Sequence, residues 1–80
     1  MRIIEIKTDR GGIPEIGLVE SESVYVEVEV HGQRWWIAIS ERTYENGENY
    51  VGISYGRENK VYYSEEIFVL KKKKGEKGNG

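Results

Sequence analysis

The sequence predicts an all-β fold, a small and strongly bent antiparallel barrel, and three observations lead to it. Apolar residues alternate with polar ones over short runs rich in Val, Ile, Tyr and Trp, as in strands with one buried face. Gly and Asn separate these runs at hairpin spacing, and no segment repeats apolar residues at helical intervals. Eighty residues without cysteine allow one small domain, and no disulfide is available to stabilise it.

The amino-terminal part is predicted to contain one strand and one loop. The strand covers residues 2–8, RIIEIKT. Residues 9–17, DRGGIPEIG, favour a loop because paired glycines precede an isoleucine that the following proline holds extended. A brief strand is predicted to follow at residues 18–20.

The clearest strand is VYVEVEVH, residues 24–31, in which four valines alternate with polar residues and one tyrosine. A tight turn at the His-Gly step, or alternatively at the Gly-Gln step, leads into RWWIAIS, residues 34–40. The first turn sets Val28 opposite Trp35, and both turns leave every side chain on the same face. Trp35 is therefore predicted to lie in the core and Trp36 outside it.

The next hairpin can be chosen by its hydrophobic register. A two-residue Asn-Gly loop would pair Ile39 with Ser54, an apolar residue with a polar one. A three-residue loop at residues 45–47, with its glycine in the left-handed conformation, pairs Ile39 with Ile53 instead, and we predict this loop. The same register sets Trp36 across from Gly56 and Arg42 across from Tyr50.

The carboxyl-terminal part is predicted to close the barrel. A turn at residues 56–60 and a strand at residues 61–63 precede one helical turn at residues 64–66. The last strand, residues 67–70, is apolar on both faces, which suits a strand that closes a barrel. This order of long first loop, three-stranded meander, single helical turn and closing strand resembles an SH3-like barrel over residues 2–70. The resemblance implies five to seven short strands closed on themselves.

Charge is distributed unevenly along the chain. Residues 1–70, the predicted barrel domain, carry 7 Lys and Arg against 13 Asp and Glu, a net charge of −6. Residues 71–80 carry 5 against 1, a net charge of +4, and their lack of apolar side chains predicts a disordered, lysine-rich tail. High Glu, Lys, Ile and Val content without cysteine is typical of hyperthermophile proteins, including archaeal ones.

Residues that could perform catalysis are scarce. The single histidine, His31, lies at a predicted turn, where a solvated role is expected. Glu27 and Glu29 share a face but lack a third metal ligand, and the paired glycines lack the Lys-Ser/Thr of a phosphate loop. We therefore expect no enzymatic activity, no metal, no cofactor and no small-molecule substrate.

The sequence also bears on location. It has no apolar run of about 18 residues that would suggest a membrane span. Its first residues, MRIIEIKTDRGG, are too short and too charged for a signal peptide. A cytoplasmic protein that does not bind membranes is the expectation.

Binding residues are better represented. The outer face of the central strands should carry aromatic and arginine side chains, the types enriched in interface hot spots, between small residues that leave the rings accessible. Alternatively, the loop at residues 13–19 or the terminal segment covers the exposed tryptophan as a second, minor core. The predicted binding residues are Trp36, Tyr25, Arg34, Arg42 and Tyr50.

Three kinds of partner fit this face. The leading prediction is a protein partner, with the chain as an interaction module or an accessory subunit of an assembly that handles nucleic acid, because the acidic body repels phosphates. The alternative is direct DNA or RNA binding by stacking on the same sheet, helped by the lysines of the tail. A structural homodimer through this face is the third. The tail residues in question are Lys71, Lys72, Lys73 and Lys74.

Overall fold

The computed structural model describes residues 1–71, which form one antiparallel sheet of five strands. The strands are β1 (Arg2–Ile13), β2 (Leu18–Val30), β3 (Gln33–Tyr44), β4 (Glu48–Arg57) and β5 (Lys60–Lys71). They lie in the order β1-β2-β3-β4-β5, so each strand pairs with its neighbours in the chain. The predicted disordered tail lies outside the described residues, apart from the backbone of Lys71, which ends β5.

The all-β prediction is confirmed, but the sheet is not closed into a barrel. β1 pairs with β2 and β5 with β4, and the described parts of β1 and β5 do not pair with each other. The strands are also longer than predicted, at 10 to 13 residues each. The SH3-like arrangement is not confirmed.

The predicted helical turn at residues 64–66 is wrong, because this segment is extended within β5. Ser64 pairs with Ser54 and Glu66 with Gly52, so the segment continues the ladder with β4. The local preference of Ser-Glu-Glu for a turn is weaker than the run of hydrogen bonds to a neighbouring strand.

The apolar run at residues 67–70 reflects a β-bulge. Phe68 pairs with Tyr50 and Leu70 with Asn49, which leaves Val69 as an extra residue in β5. One extra residue reverses the alternation beyond it, so Leu70 lies on the same face as Ile67. The run therefore has apolar residues on both faces without closing a barrel.

The predicted loop at residues 9–17 is mostly strand. β1 continues through both glycines to Ile13, and one 3₁₀ turn (Pro14–Ile16) follows. Gly17 adopts the left-handed conformation, with φ of 75°, and leads directly into β2. The predicted brief strand at residues 18–20 is thus the start of a 13-residue strand.

Both predicted hairpin registers are confirmed. His31 and Gly32 have φ of 50° and 76°, the positive values of a two-residue hairpin turn, and Val28 pairs with Trp35. Gly47 has φ of 87°, as the three-residue loop requires. The remaining predicted pairs are also present: Ile39 with Ile53, Trp36 with Gly56 and Arg42 with Tyr50.

The sheet is a single layer with two unlike faces. Because side chains alternate along each strand, the register assigns every paired residue to one face. We call one the apolar face; its apolar and aromatic residues are Ile6, Val24, Val26, Val28, Trp35, Ile37, Ile39, Val51, Ile53, Tyr55, Tyr63 and Ile67, and the charged residues Arg10, Glu22, Glu41, Arg57 and Glu65 lie on the same face. We call the other the polar face; it carries Tyr25, Glu27, Arg34, Trp36, Ala38, Ser40, Arg42, Tyr50, Gly52, Ser54, Gly56 and Glu66.

Little of this sheet is buried. Leu18, at 6% exposure, is the only fully buried apolar residue among residues 1–71. Trp35 is half-buried, so the prediction that it lies in a core is wrong. No second layer of the described chain covers its face, and a core requires two layers.

Candidate interaction surfaces

The five predicted binding residues all lie on the polar face, but at two separate ends of it. Tyr25, Arg34 and Trp36 lie toward the turn that joins β2 to β3. Arg42 and Tyr50 pair with each other toward the opposite end of β3. The five residues therefore form two separate groups.

At the first end, Trp36 packs against neighbouring residues of the sheet, and its indole N–H has a hydrogen-bond partner. Its ring stacks on Tyr25, with centroids 6.2 Å apart and planes 19° from parallel. Its indole Nε1 donates a hydrogen bond of 3.0 Å to the backbone carbonyl of Glu58. Trp36 is half-buried as a result.

Gly56 provides the space for this ring. A Cβ at this position would lie 2.7 Å from Trp36 Cζ2 and would overlap the carbonyl oxygen of Lys60. Only a residue without a side chain lets the indole and the β4–β5 turn approach so closely. The small residue opposite Trp36 therefore serves as a seat for the ring, rather than leaving the ring accessible.

The alternative that residues 13–19 cover Trp36 is wrong. The 3₁₀ turn lies at the other end of the sheet, where the Glu45 backbone N–H donates a 2.8 Å hydrogen bond to the Gly17 carbonyl. The shielding of Trp36 comes instead from Tyr25 and the β4–β5 turn.

At the second end, Arg42 is held by Glu66. Its guanidinium donates a hydrogen bond of 2.8 Å to Glu66 Oε2, and the Tyr44 hydroxyl donates one of the same length to the same oxygen. The guanidinium lies over Gly52, where a Cβ would be 3.0 Å from its central carbon. Arg42 is therefore directed across the sheet and not outward.

These hydrogen bonds change the titration of both acidic groups. The donors Arg42 and Tyr44 stabilise the carboxylate, so the pKa of Glu66 is lowered. Donation to that carboxylate stabilises the neutral phenol, so the pKa of Tyr44 is raised. The three side chains form one network on the polar face, which we call the Arg42 network.

Tyr50 and Arg34 differ in how far they are engaged. Tyr50 contacts Phe68 edge to face, with centroids 5.4 Å apart, and its hydroxyl donates a 2.9 Å hydrogen bond to Glu48. Arg34 is exposed, and its guanidinium lies 3.8 Å from the Glu27 carboxylate. Of the five predicted binding residues, Arg34 alone is exposed in this structure.

The apolar face is different, because its side chains contact only their neighbours on the same sheet. Ile37 and Ile39, at the centre of the sheet, are 43% and 46% exposed, and Ile6 in β1 is 59% exposed. Tyr55 and Tyr63 stack with centroids 5.7 Å apart and are also exposed. An apolar surface that extends over five strands far exceeds the scattered apolar residues of an ordinary surface.

Charged residues border the apolar face with opposite signs at its two ends. At one end the Arg57 guanidinium lies 5.7 Å from the Trp35 ring, and Lys60 Nζ lies 5.2 Å from the Tyr62 ring. At the other end the register places Glu20, Glu22 and Glu41 on the same face, together with Arg10, which lies 3.1 Å from the Glu22 carboxylate, so the net charge of this end is negative. The apolar area therefore separates a basic end from an acidic end.

Sequence reasoning missed this surface because it assigned the apolar residues to a closed core. The available signal was chain length: five strands of 10 to 13 residues use almost all of the first 71 residues. Nothing then remains in those residues to form a second layer. A count of strand length against chain length would have indicated an uncovered face.

Three further observations concern metal ligands, membrane-spanning helices and related proteins. Within residues 1–71, no three His, Cys, Asp or Glu side chains are grouped as metal ligands would be. The described part of the chain has no helix with the length and apolar character needed to span a bilayer. No family model, no curated protein and no solved structure matches this chain.

Proposed function

We propose that this chain is a non-enzymatic interaction module that binds a protein partner through its apolar face. The observation that carries the proposal is the exposure of Ile6, Ile37 and Ile39 in the middle of an uncovered sheet. Burial of such side chains contributes about 25 cal/mol per Å² of apolar area, which gives association a strong driving force. The size and continuity of this patch are those of a protein interface.

The proposal moves the binding surface from the polar face to the apolar face. Trp36 and Arg42 already have partners within the chain, and a ligand would have to compete with those contacts. On this proposal Trp36 and Arg42 stabilise the sheet, and Arg34 adds at most one contact at the edge of the interface. The role as an accessory subunit and the cytoplasmic location belong to the same proposal.

Direct binding of DNA or RNA remains the alternative function. The polar face offers stacking rings, but Glu27 and Glu29 pair directly with Trp36 and Arg34 in the strand register and would repel a phosphate backbone. Titration of labelled DNA and RNA at two salt concentrations tests this. We expect weak binding at physiological salt; tight binding that Trp36→Ala removes would place nucleic acid first.

Site-specific photo-crosslinking tests the proposed face. A photoreactive phenylalanine analogue is placed at Ile37, on the apolar face, or at neighbouring Ala38, on the polar face, and each protein is irradiated in an extract of the source cells. We expect a nuclease-resistant protein adduct from position 37 and little from position 38. Adducts from position 38 alone, or adducts that nuclease removes, would contradict the proposal.

A further inference from the structure

We infer that the partner on the apolar face is a second copy of this chain, packed face to face as a two-layer β-sandwich; this rests on the proposed function. A sheet with one apolar face becomes stable by burying that face against another layer. Most assemblies of identical chains are twofold dimers, in which one patch supplies both sides of the interface. The patch must then be large enough for a stable interface and complementary to itself in charge.

The first condition is area. Five strands about 4.8 Å apart and four rows of side chains about 6.8 Å apart give a flat footprint on the order of 600 Å². Accessible surface exceeds a flat footprint because side chains project from the sheet. A stable interface buries about 800 Å² on each partner, which the whole face, its apolar centre and its charged border together, approaches.

The second condition is charge. Arg57 and Lys60 border one end of the apolar face and contact aromatic rings, and neither forms an ion pair with another described residue. Glu20 and Glu41 border the other end, likewise without an ion pair among residues 1–71. Glu65 is a further acidic side chain on this face, in the outermost strand β5. A surface with unpaired charges of opposite sign at its two ends complements an inverted copy of itself.

This complementarity selects one orientation of the dimer. A twofold axis between the layers and perpendicular to the strands, passing between Ile37 and Ile39, inverts the second copy end for end. The basic end of each copy then covers the acidic end of the other. Arg57 of one copy comes to lie about one strand spacing, ~4.8 Å, to the side of Glu41 of its partner, with the layers about 10 Å apart. An axis parallel to the strands would instead place like charges together.

The single layer gives a further reason for association. With Leu18 as the only fully buried apolar residue in the described part, one copy has almost no core of its own. The dimer places Ile37, Ile39 and Ile53 of both copies between two layers, which is the ordinary interior of a sandwich. Folding and dimer formation should therefore be linked, and stability should rise with protein concentration.

Sedimentation equilibrium of the full chain, over a wide range of concentration, tests the dimer. We expect the mass of two chains and expect Ile37→Lys to weaken association roughly thirtyfold or more, the effect of losing a central hot spot. Ser64→Lys, an exposed position on the opposite face, is the matched control and should leave the dissociation constant within about threefold. Circular dichroism establishes that each variant keeps its strand content.

A charge swap tests the orientation without altering the apolar area. Arg57→Glu alone and Glu41→Arg alone should each weaken the dimer about tenfold, and the double variant should restore it, because each interface pair is regenerated across the twofold axis. Within one chain the two positions are six residues apart along the sheet, about 20 Å, so rescue cannot arise inside a copy. Additive losses in the double variant would overturn this orientation.

The outcomes separate this inference from the proposed function. A chain that stays monomeric at every concentration would overturn the inference, yet the proposed function would stand if position 37 is crosslinked to a different protein. A dimer that Ile37→Lys does not weaken would show that the copies associate elsewhere. If position 37 is also crosslinked to no protein, the proposed function fails as well.

Discussion

The two faces of the sheet are built from the same strands and differ in how they satisfy their side chains. On the polar face, large side chains lie down over small residues: Trp36 over Gly56 and Arg42 over Gly52. On the apolar face, Ile37 and Ile39 stand upright beside one another with nothing above them. The large side chains of the polar face thus have partners within the chain, whereas the apolar face is left uncovered by the described residues.

This difference shows that residue type alone does not tell whether a side chain is free of contacts within its own chain. Tryptophan and arginine are typical of hot spots, yet Trp36 and Arg42 are engaged inside the chain because small residues give them room. Isoleucine and valine are typical of cores, yet here they form the open surface. Whether a side chain is available depends on its neighbours across the strands.

The largest effect we expect is at the seat of Trp36. Gly56→Ala should destabilise the protein by about 3 kcal/mol, because the new methyl overlaps the Lys60 backbone and the indole ring. Gly52→Ala is the matched control and should cost less than about 1 kcal/mol, since the flexible end of Arg42 can move aside. Urea unfolding at one protein concentration measures both. Equal costs would mean that the polar face is not tightly packed at Gly56.

The two tryptophans offer a direct comparison of the faces. Trp36→Phe should cost about 1 kcal/mol more than Trp35→Phe, because it removes the hydrogen bond to the Glu58 carbonyl, whereas the Trp35 indole makes no hydrogen bond with the described residues. Thermal unfolding of both variants at matched concentration measures the difference. Were Trp35→Phe the more damaging change, the apolar face would be the better packed of the two.

The Arg42 network should give the polar face a stability that depends on pH. Because the folded pKa of Glu66 is lowered, its contribution is present above the usual glutamate pKa of about 4.3 and is lost as pH falls through the folded value. Because the folded pKa of Tyr44 is raised, its contribution is present below about pH 10 and is lost as pH rises through the folded value.

The side chains of the network are partly exposed, so each effect should stay below about 1 kcal/mol. Glu66→Gln should flatten the acid limb of stability against pH, and Tyr44→Phe should flatten the alkaline limb. Tyr63→Phe should also flatten the alkaline limb, because the Tyr63 hydroxyl donates to Glu65 and its pKa is raised as well, so the acid limb is the measurement specific to the network. An unchanged acid limb in Glu66→Gln would contradict the network.

The smallest effect concerns the β4–β5 turn. Glu58 has φ of 53°, in the left-handed region that a non-glycine residue enters at a cost. Glu58→Gly should stabilise the protein by about 0.5 kcal/mol, the relief of strain less the added freedom of the unfolded chain. Glu58→Ala removes the charge but keeps the strain and should show no gain. A gain in both variants would trace the effect to charge.

The sequence was sufficient to predict the fold class and the pairing of the central strands. The alternating valines of β2 and the choice of a loop that pairs Ile39 with Ile53 determined which residues face each other. A register error of one residue would have exchanged the two faces. It also placed Trp36 opposite Gly56. These are local relations between neighbouring strands, which alternation and turn length control.

Closure and coverage could not be predicted in the same way. Alternation states that a strand has an apolar side but not what lies against that side, which can be the same chain or another. The bulge at Val69 gives residues 67–70 the sequence pattern of a strand that is buried on both faces. Ser64-Glu65-Glu66 has the sequence pattern of a helical turn, although it lies in β5. The contacts of the predicted site residues could not be predicted for the same reason, since the contacts of Trp36 with Glu58 and of Arg42 with Glu66 depend on how strands far apart in sequence meet.

Extra residues interrupt the ladder at Val19 of β2 and in both outermost strands. Ile4 is an extra residue in β1 relative to β2, and Tyr62 and Val69 are extra residues in β5 relative to β4, whereas the β3–β4 register runs unbroken. An interrupted edge cannot offer a further chain the regular row of donors and acceptors from which a fibril grows. The two edges of this open sheet are thereby less suited to pairing with further chains than straight, unbroken strands would be.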